Sequence, residues 1–89
     1  MTTGAALKIA YFYLMKTNER VKTTVPEHVA YWHKKAPFAY QGGPFADRSG
    51  GLITFESDSF EAAEEVIAGD PFVLEALEDV SLVKEWLPE

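Results

Sequence analysis

No cysteine occurs in this chain, so it forms no disulfide, presents no thiolate nucleophile and offers no cysteine-ligated zinc. That usage suits a reducing compartment. Long apolar runs are missing too: no segment approaches the roughly 20 apolar residues of a membrane-spanning helix. Met1-Thr2-Thr3-Gly4-Ala5-Ala6 has no basic region followed by an apolar stretch. A soluble cytoplasmic protein with no membrane role is the expectation. Basic side chains are scarce, 8 against 14 acidic for a net charge of −6. An anionic surface repels a phosphate backbone instead of releasing its counterions, which argues against nucleic acid as a partner. Neither the lysine-containing P-loop nor the spaced dinucleotide fingerprint is present, so Gly42-Gly43-Pro44 is no phosphate cradle.

What is present is foldable: 47% of residues are hydrophobic and 13% aromatic, far from the composition of a disordered chain. A length of 89 residues suits one small domain over 1–89, and no repeat, linker or low-complexity segment divides it. Leu7 to Met15 (LKIAYFYLM) is the strongest strand segment, crowded with aromatic, β-branched and aliphatic residues and free of turn formers. Alternation sends Leu7, Ile9, Tyr11, Tyr13 and Met15 to one face and Ala10, Phe12 and Leu14 to the other, so both faces are apolar. Helices of a chain this short cover one face, and a second subunit is the natural cover for the other.

Thr24 and Glu27 fit a capping box with Pro26 in the first turn, which predicts a helix from about Thr24 to Ala36, stopped by Pro37. On that helix Val25, Val29, Trp32 and Ala36 share a stripe, with His28 at one edge and His33 at the other. Periodicity prefers neither histidine. Phe38 to Gln41 and Gly51 to Glu56 read as two strands of a hairpin, joined by the turn-rich Ala46-Asp47-Arg48-Ser49-Gly50. A second helix opens at Asp58 or Ser59, buries Phe60, Ala63, Val66 and Ile67, and stops at Gly69 in a left-handed conformation. Asp70-Pro71 restarts a short helix to about Leu77, and Val80 to Leu87 alternates as a fourth strand. The order strand, helix, strand, strand, helix, strand predicts an α+β fold. It is a ferredoxin-like βαββαβ sandwich with a four-stranded antiparallel sheet.

The motifs Pro26-Glu27-His28, Gly42-Gly43-Pro44, Gly50-Gly51, Phe60-Glu61-Ala62-Ala63 and Gly69-Asp70-Pro71-Phe72, in this order, resemble the YCII-related family of small proteins. The resemblance covers nearly the whole chain. It implies a homodimer on the dimeric α/β barrel plan, and a catalytic pair made of a first-helix histidine and an aspartate before proline, here His28 and Asp70. Relatives include a dehydrochlorinase of chlorinated-aromatic degradation and, more distantly, muconolactone isomerases. The implied chemistry is therefore acid/base catalysis on a small cyclic or aromatic molecule, with no metal or organic cofactor.

Residue chemistry supplies both a functional and a plain account of each position. Imidazole exchanges a proton near neutrality, and a carboxylate on one ring nitrogen would aim the other at a substrate. Asp70 is fully explained as a helix cap, yet one oxygen can cap while the other meets His28. His28 and His33 sit about 140° apart around a helix and make no metal pair. Tyr11, Tyr13, Tyr40, Phe45 and Trp32 could line an apolar cleft for a small aromatic molecule, with Tyr11, Trp32, Gly43 and Pro44 the candidates for substrate contact, although aromatic residues at strand spacing more often fill a core or an interface. The alternative to an enzyme is a non-catalytic ligand-binding or interaction module on the same dimeric scaffold. A cofactor-independent oxygenase is a third possibility.

Overall fold

The computed structural model describes residues 6–89. Met1 to Ala5, on which the expectation of no leader segment falls, lie outside the described residues. The elements run β1 (Leu7–Met15), α1 (Glu19–Lys35), β2 (Gln41–Pro44), β3 (Gly50–Ser57), α2 (Phe60–Ala68), α3 (Pro71–Leu74) and β4 (Glu78–Glu85). The four strands form one antiparallel sheet in the order β2-β3-β1-β4. This is the ferredoxin-like arrangement expected from the element order, and β1 is central in it.

Register separates the two faces of β1. Ile9 lies opposite Phe55 and Tyr11 opposite Ile53; these four side chains are buried with Trp32, Ala63, Ile67, Phe72 and Leu77 in the core under the helices. Phe12 lies between Leu52 on β3 and Leu82 on β4, and Leu52, Val80 and Leu82 are exposed. The second apolar face foreseen for β1 therefore continues across three strands; the Phe45 ring packs against Phe12 with centroids 5.5 Å apart, and no helix among the described residues covers the rest.

Several boundaries differ from expectation, each for a local reason. Helix α1 begins well before Thr24, because the Asn18 side chain caps it by accepting from the Arg20 N–H at 2.7 Å. No capping box forms at Thr24, and Pro26 lies inside the helix. The buried stripe is consequently Thr24, His28 and Trp32, while Val25 and Val29 are each 41% exposed. Strand β2 starts at Gln41 instead of Phe38, since Ala36 and Ala39 adopt positive φ (42° and 56°) and hold Phe38 to Tyr40 in a turn. Ser59, not Asp58, caps α2, accepting from the Ala62 N–H at 3.0 Å.

Gly69 is not left-handed (φ −86°). Its small size serves packing, because a Cβ there would lie 2.5 Å from the Tyr31 hydroxyl, which donates to the Val66 carbonyl. Helix α3 stops at Leu74, before the left-handed Ala76 (φ 55°), and β4 starts at Glu78.

Candidate active site

Asp70 is the buried hub of the helical layer. As N-cap of α3 its Oδ1 accepts from the Phe72 N–H at 2.8 Å, the role that Asp-Pro implies. The same Oδ1 also meets His28 Nδ1 at 2.8 Å, and Oδ2 accepts from the Trp32 indole N–H at 2.8 Å. Capping and histidine binding thus fall on one oxygen, whereas the sequence suggested one for each. The second oxygen holds Trp32. Asp70 is 0% exposed, and three charge-assisted donors compensate its desolvation.

His28 is positioned on several sides. The spacing of Thr24, His28 and Trp32 along α1 turns it inward, and the Phe72 ring stacks on it at 4.1 Å between centroids. With Asp70 accepting at Nδ1, that nitrogen carries a proton and Nε2 is left for exchange. Nε2 lies 3.3 Å from the Tyr13 hydroxyl. Burial, reinforced by the Asp70 and Glu78 carboxylates, pushes the Tyr13 phenol well above its ordinary range, so it stays a protonated donor. Gly51, directly opposite Tyr13 on β3, makes room for that phenol: a Cβ at Gly51 would lie 2.5 Å from its oxygen.

His28, Tyr13 and Phe72 line a cleft of about 1080 Å³ whose walls also include Tyr40, Gly43 and Pro44. Gly43 lies opposite Leu52 and so faces the open side of the sheet, meeting the cleft through its backbone. Gly42, opposite Ile53, is the cleft-side glycine; its missing side chain leaves space for Tyr40, whose hydroxyl would be 2.8 Å from an added Cβ. Tyr11 and Trp32 are each 0% exposed and stand behind this layer. There Trp32 holds Asp70 and Tyr11 donates to Glu78. His33 is an exposed cleft residue set edge-on to Tyr40. Among the described residues no cluster of three or more His, Cys, Asp or Glu could hold a metal ion.

Phe72 and Glu78 escape the sequence reading as site residues, and Tyr13 is legible there only as one of several aromatics that could line a cleft. Phe72 is visible only as part of a motif. Glu78 carried no signal. Burial raises its carboxyl above the ordinary range, and the Tyr11 hydroxyl partly opposes that shift. A raised carboxyl stabilises the fold fully below its unfolded pKa of about 4.3 and loses that contribution as pH climbs through the higher folded value. Glu78→Gln removes the titration and keeps an acceptor for Tyr11. Urea melts should therefore show the variant's stability rising relative to the parent's as pH climbs above about 4; a variant that falls relative to the parent over that climb would contradict the assignment.

Comparison with known proteins decides the kinship. The YCII-related domain matches residues 7–87. The chain belongs to the YCII-related family. Among solved structures it is similar to 5-chloro-2-hydroxyhydroquinone dehydrochlorinase (TftG) from Burkholderia phenoliruptrix AC1100, determined in complex with 2,5-dihydroxybenzoquinone. The TM-score is 0.76 at 20% identity, covering 91% of this chain and 94% of that one. It is also similar to Rv0793 from Mycobacterium tuberculosis, with a TM-score of 0.54 at 13% identity over 96% of this chain and 98% of that one. At these identities the likeness is one of fold. Uncharacterized protein YjpA of Bacillus subtilis (strain 168) is 41% identical over 44 residues, which is 49% of this chain and 51% of YjpA. The match thus spans about half of that relative. Among the described residues no helix is long and apolar enough to cross a membrane.

Proposed function

We propose that this YCII-related protein is an acid/base enzyme acting on a small, cyclic or aromatic organic molecule by isomerisation or elimination. The observation that carries the proposal is the buried 2.8 Å bond between His28 Nδ1 and Asp70, with Nε2 3.3 Å from the Tyr13 hydroxyl and both residues in the wall of the cleft. Asp70 fixes the tautomer and the ring plane, and it stabilises the imidazolium formed when Nε2 accepts a proton. His28 then removes a proton from a substrate carbon. The electron pair left behind either shifts along the ring, with the proton returned at another carbon, or expels a leaving group. A substrate oxygen that gains charge meets the Tyr13 hydroxyl, which is a donor throughout. Kinship with the dehydrochlorinase fold supports elimination as one form of this chemistry.

A metabolite library screened by thermal shift would find ligands of the folded form, because a ligand bound to the native state raises the melting temperature. Turnover of a hit by the parent, lost in the His28 and Asp70 variants, supports the enzyme; full activity in both variants would sink it. The 3.3 Å contact of Tyr13 with Nε2 favours a second reading, in which the nitrogen is satisfied by the phenol and the cleft binds a ligand without turnover. Stable binding of a hit with no product formed would support that module.

A homodimer belongs to the proposal as well. Leu52, Leu82 and Val80, exposed on the uncovered sheet face beside Phe12, are apolar enough to seat a second copy, as two-layer sandwiches require a cover on each apolar face. Light scattering should give a dimer for the parent chain and a monomer for Leu82→Lys. A monomeric parent at working concentration would refute the interface.

A further inference from the structure

The cleft runs against the charge of the molecule that contains it. Acidic residues outnumber basic ones 14 to 8 over the chain, yet the cleft is lined by the basic Lys16, Lys22 and Arg48 and by one carboxylate, Asp79. Asp70 sits behind His28 with its oxygens taken by three N–H donors, and Glu78 is bonded by Tyr11.

The cations differ in what holds them. Lys16 donates to the Ala76 carbonyl at 2.9 Å. Lys22 and Arg48 form no ion pair among the described residues, where the pairs are Arg20 with Glu75 and His28 with Asp70. Arg48 stands at the tip of the β2–β3 hairpin in a left-handed conformation (φ 65°), which a residue other than Gly, Asn or Asp adopts only at some cost. Its neighbour Asp47 is no competitor. That carboxylate is turned onto Ser49, accepting from its N–H at 3.0 Å and its hydroxyl at 2.6 Å. Arg48 at the hairpin tip and Lys22 on the first turns of α1 thus both line the cleft, from two different elements.

We infer that the cleft takes a small organic anion, whose charged group is held between Arg48 and Lys22 while its ring extends over Pro44 and Tyr40 toward His28. The inference rests on the reading of this cleft as the reaction site, and it assigns to that site an anionic substrate class. A guanidinium binds an oxyanion with two parallel donors, and a cleft lined with one sign of charge concentrates ligands of the other.

Unreactive probes test it on the full chain. Benzoate, its uncharged isostere benzamide and the cation benzylamine would each be titrated into 15N-labelled protein. Binding would be followed by amide and side-chain shifts at low and high salt. Benzoate should bind about tenfold more tightly than benzamide at low salt and lose that advantage at high salt, where screening shortens to about 3 Å near 1 M. The double variant Lys22→Gln, Arg48→Asn, in which asparagine tolerates the left-handed turn, should bind benzoate no better than benzamide. Its urea midpoint should remain that of the parent. Equal binding of benzoate and benzamide, tighter binding of benzylamine, unchanged benzoate affinity in the double variant, or no binding of any probe would each overturn the inference.

None of these probes turns over, so the ligand class can fail while the acid/base role of His28 stands. Conversely, a His28→Asn variant that retains both benzoate binding and full turnover of a discovered substrate would overturn the acid/base role alone.

Discussion

Asp70→Ala is expected to cost about 4 kcal/mol of folding stability, more than any surface change in the protein. The substitution strands three donors in the core: the Trp32 indole, the Phe72 amide and His28 Nδ1. A buried polar group left unpaired costs about 1–3 kcal/mol, loss of an N-cap about 0.5–2, and removal of one partner of a buried ion pair about 3–5. These costs overlap, so they do not sum. A domain of 89 residues has a total stability of only about 5–13 kcal/mol, and the alanine chain would stand near the limit of folding at 37 °C.

Asp70→Asn should lose roughly half as much, about 2 kcal/mol, because its single amide oxygen still accepts from Phe72 while its NH2 opposes one of the other two donors. Urea melts of the parent and both variants check the order. An alanine variant within about 1 kcal/mol of the parent would mean that Asp70 is not the hub its bonds describe.

His28→Asn is expected to lower turnover at least 100-fold, the bottom of the range of about 10²–10⁴ that a positioned general acid/base contributes. Asparagine is the informative substitution, since its amide N–H reaches from near the position of Nδ1 and can still donate to Asp70. It removes the proton-exchanging nitrogen while keeping the internal hydrogen bond. Stability should fall by about 1–2 kcal/mol through the lost stack on Phe72. Steady-state kinetics on a substrate found by the thermal-shift screen would separate the effects: kcat falls and KM changes little if His28 acts in the transition state. A loss confined to KM would assign His28 to binding.

Much of this arrangement is legible in the residues, and the illegible part has a definite physical form. Strand β1 has the same limits in the structure as in its propensity pattern, since nine residues that are apolar or aromatic except Lys8, without a turn former, leave no competing local choice. The capping role of Asp70 is equally local, and so was visible. Helix α1 shows where local reasoning fails. Its apolar stripe through Val25 and Val29 predicts those residues inside, but the fold turns Thr24 and His28 inward and leaves both valines on the cleft wall. That choice stands on Asp70, which is 42 residues away along the chain and offsets the cost of burying the imidazole. A partner so distant leaves no mark on helical periodicity. For the same reason no pattern could separate His28 from His33; the family motif points to His28, which the fold buries while His33 stays exposed. The links of Tyr13 to Gly51 and of Tyr11 to Glu78 likewise depend on strand register and become visible only in three dimensions.

The most direct test needs no substrate. Long-range 1H–15N correlation of uniformly labelled protein across pH reports the protonation of each ring nitrogen of His28. If Asp70 and His28 form the working pair, Nδ1 keeps its proton throughout and Nε2 alone gains and loses one; in Asp70→Asn the fixed tautomer gives way to a mixture. Protonation of neutral His28 at Nε2, with Nδ1 bare beside Asp70, would contradict the account.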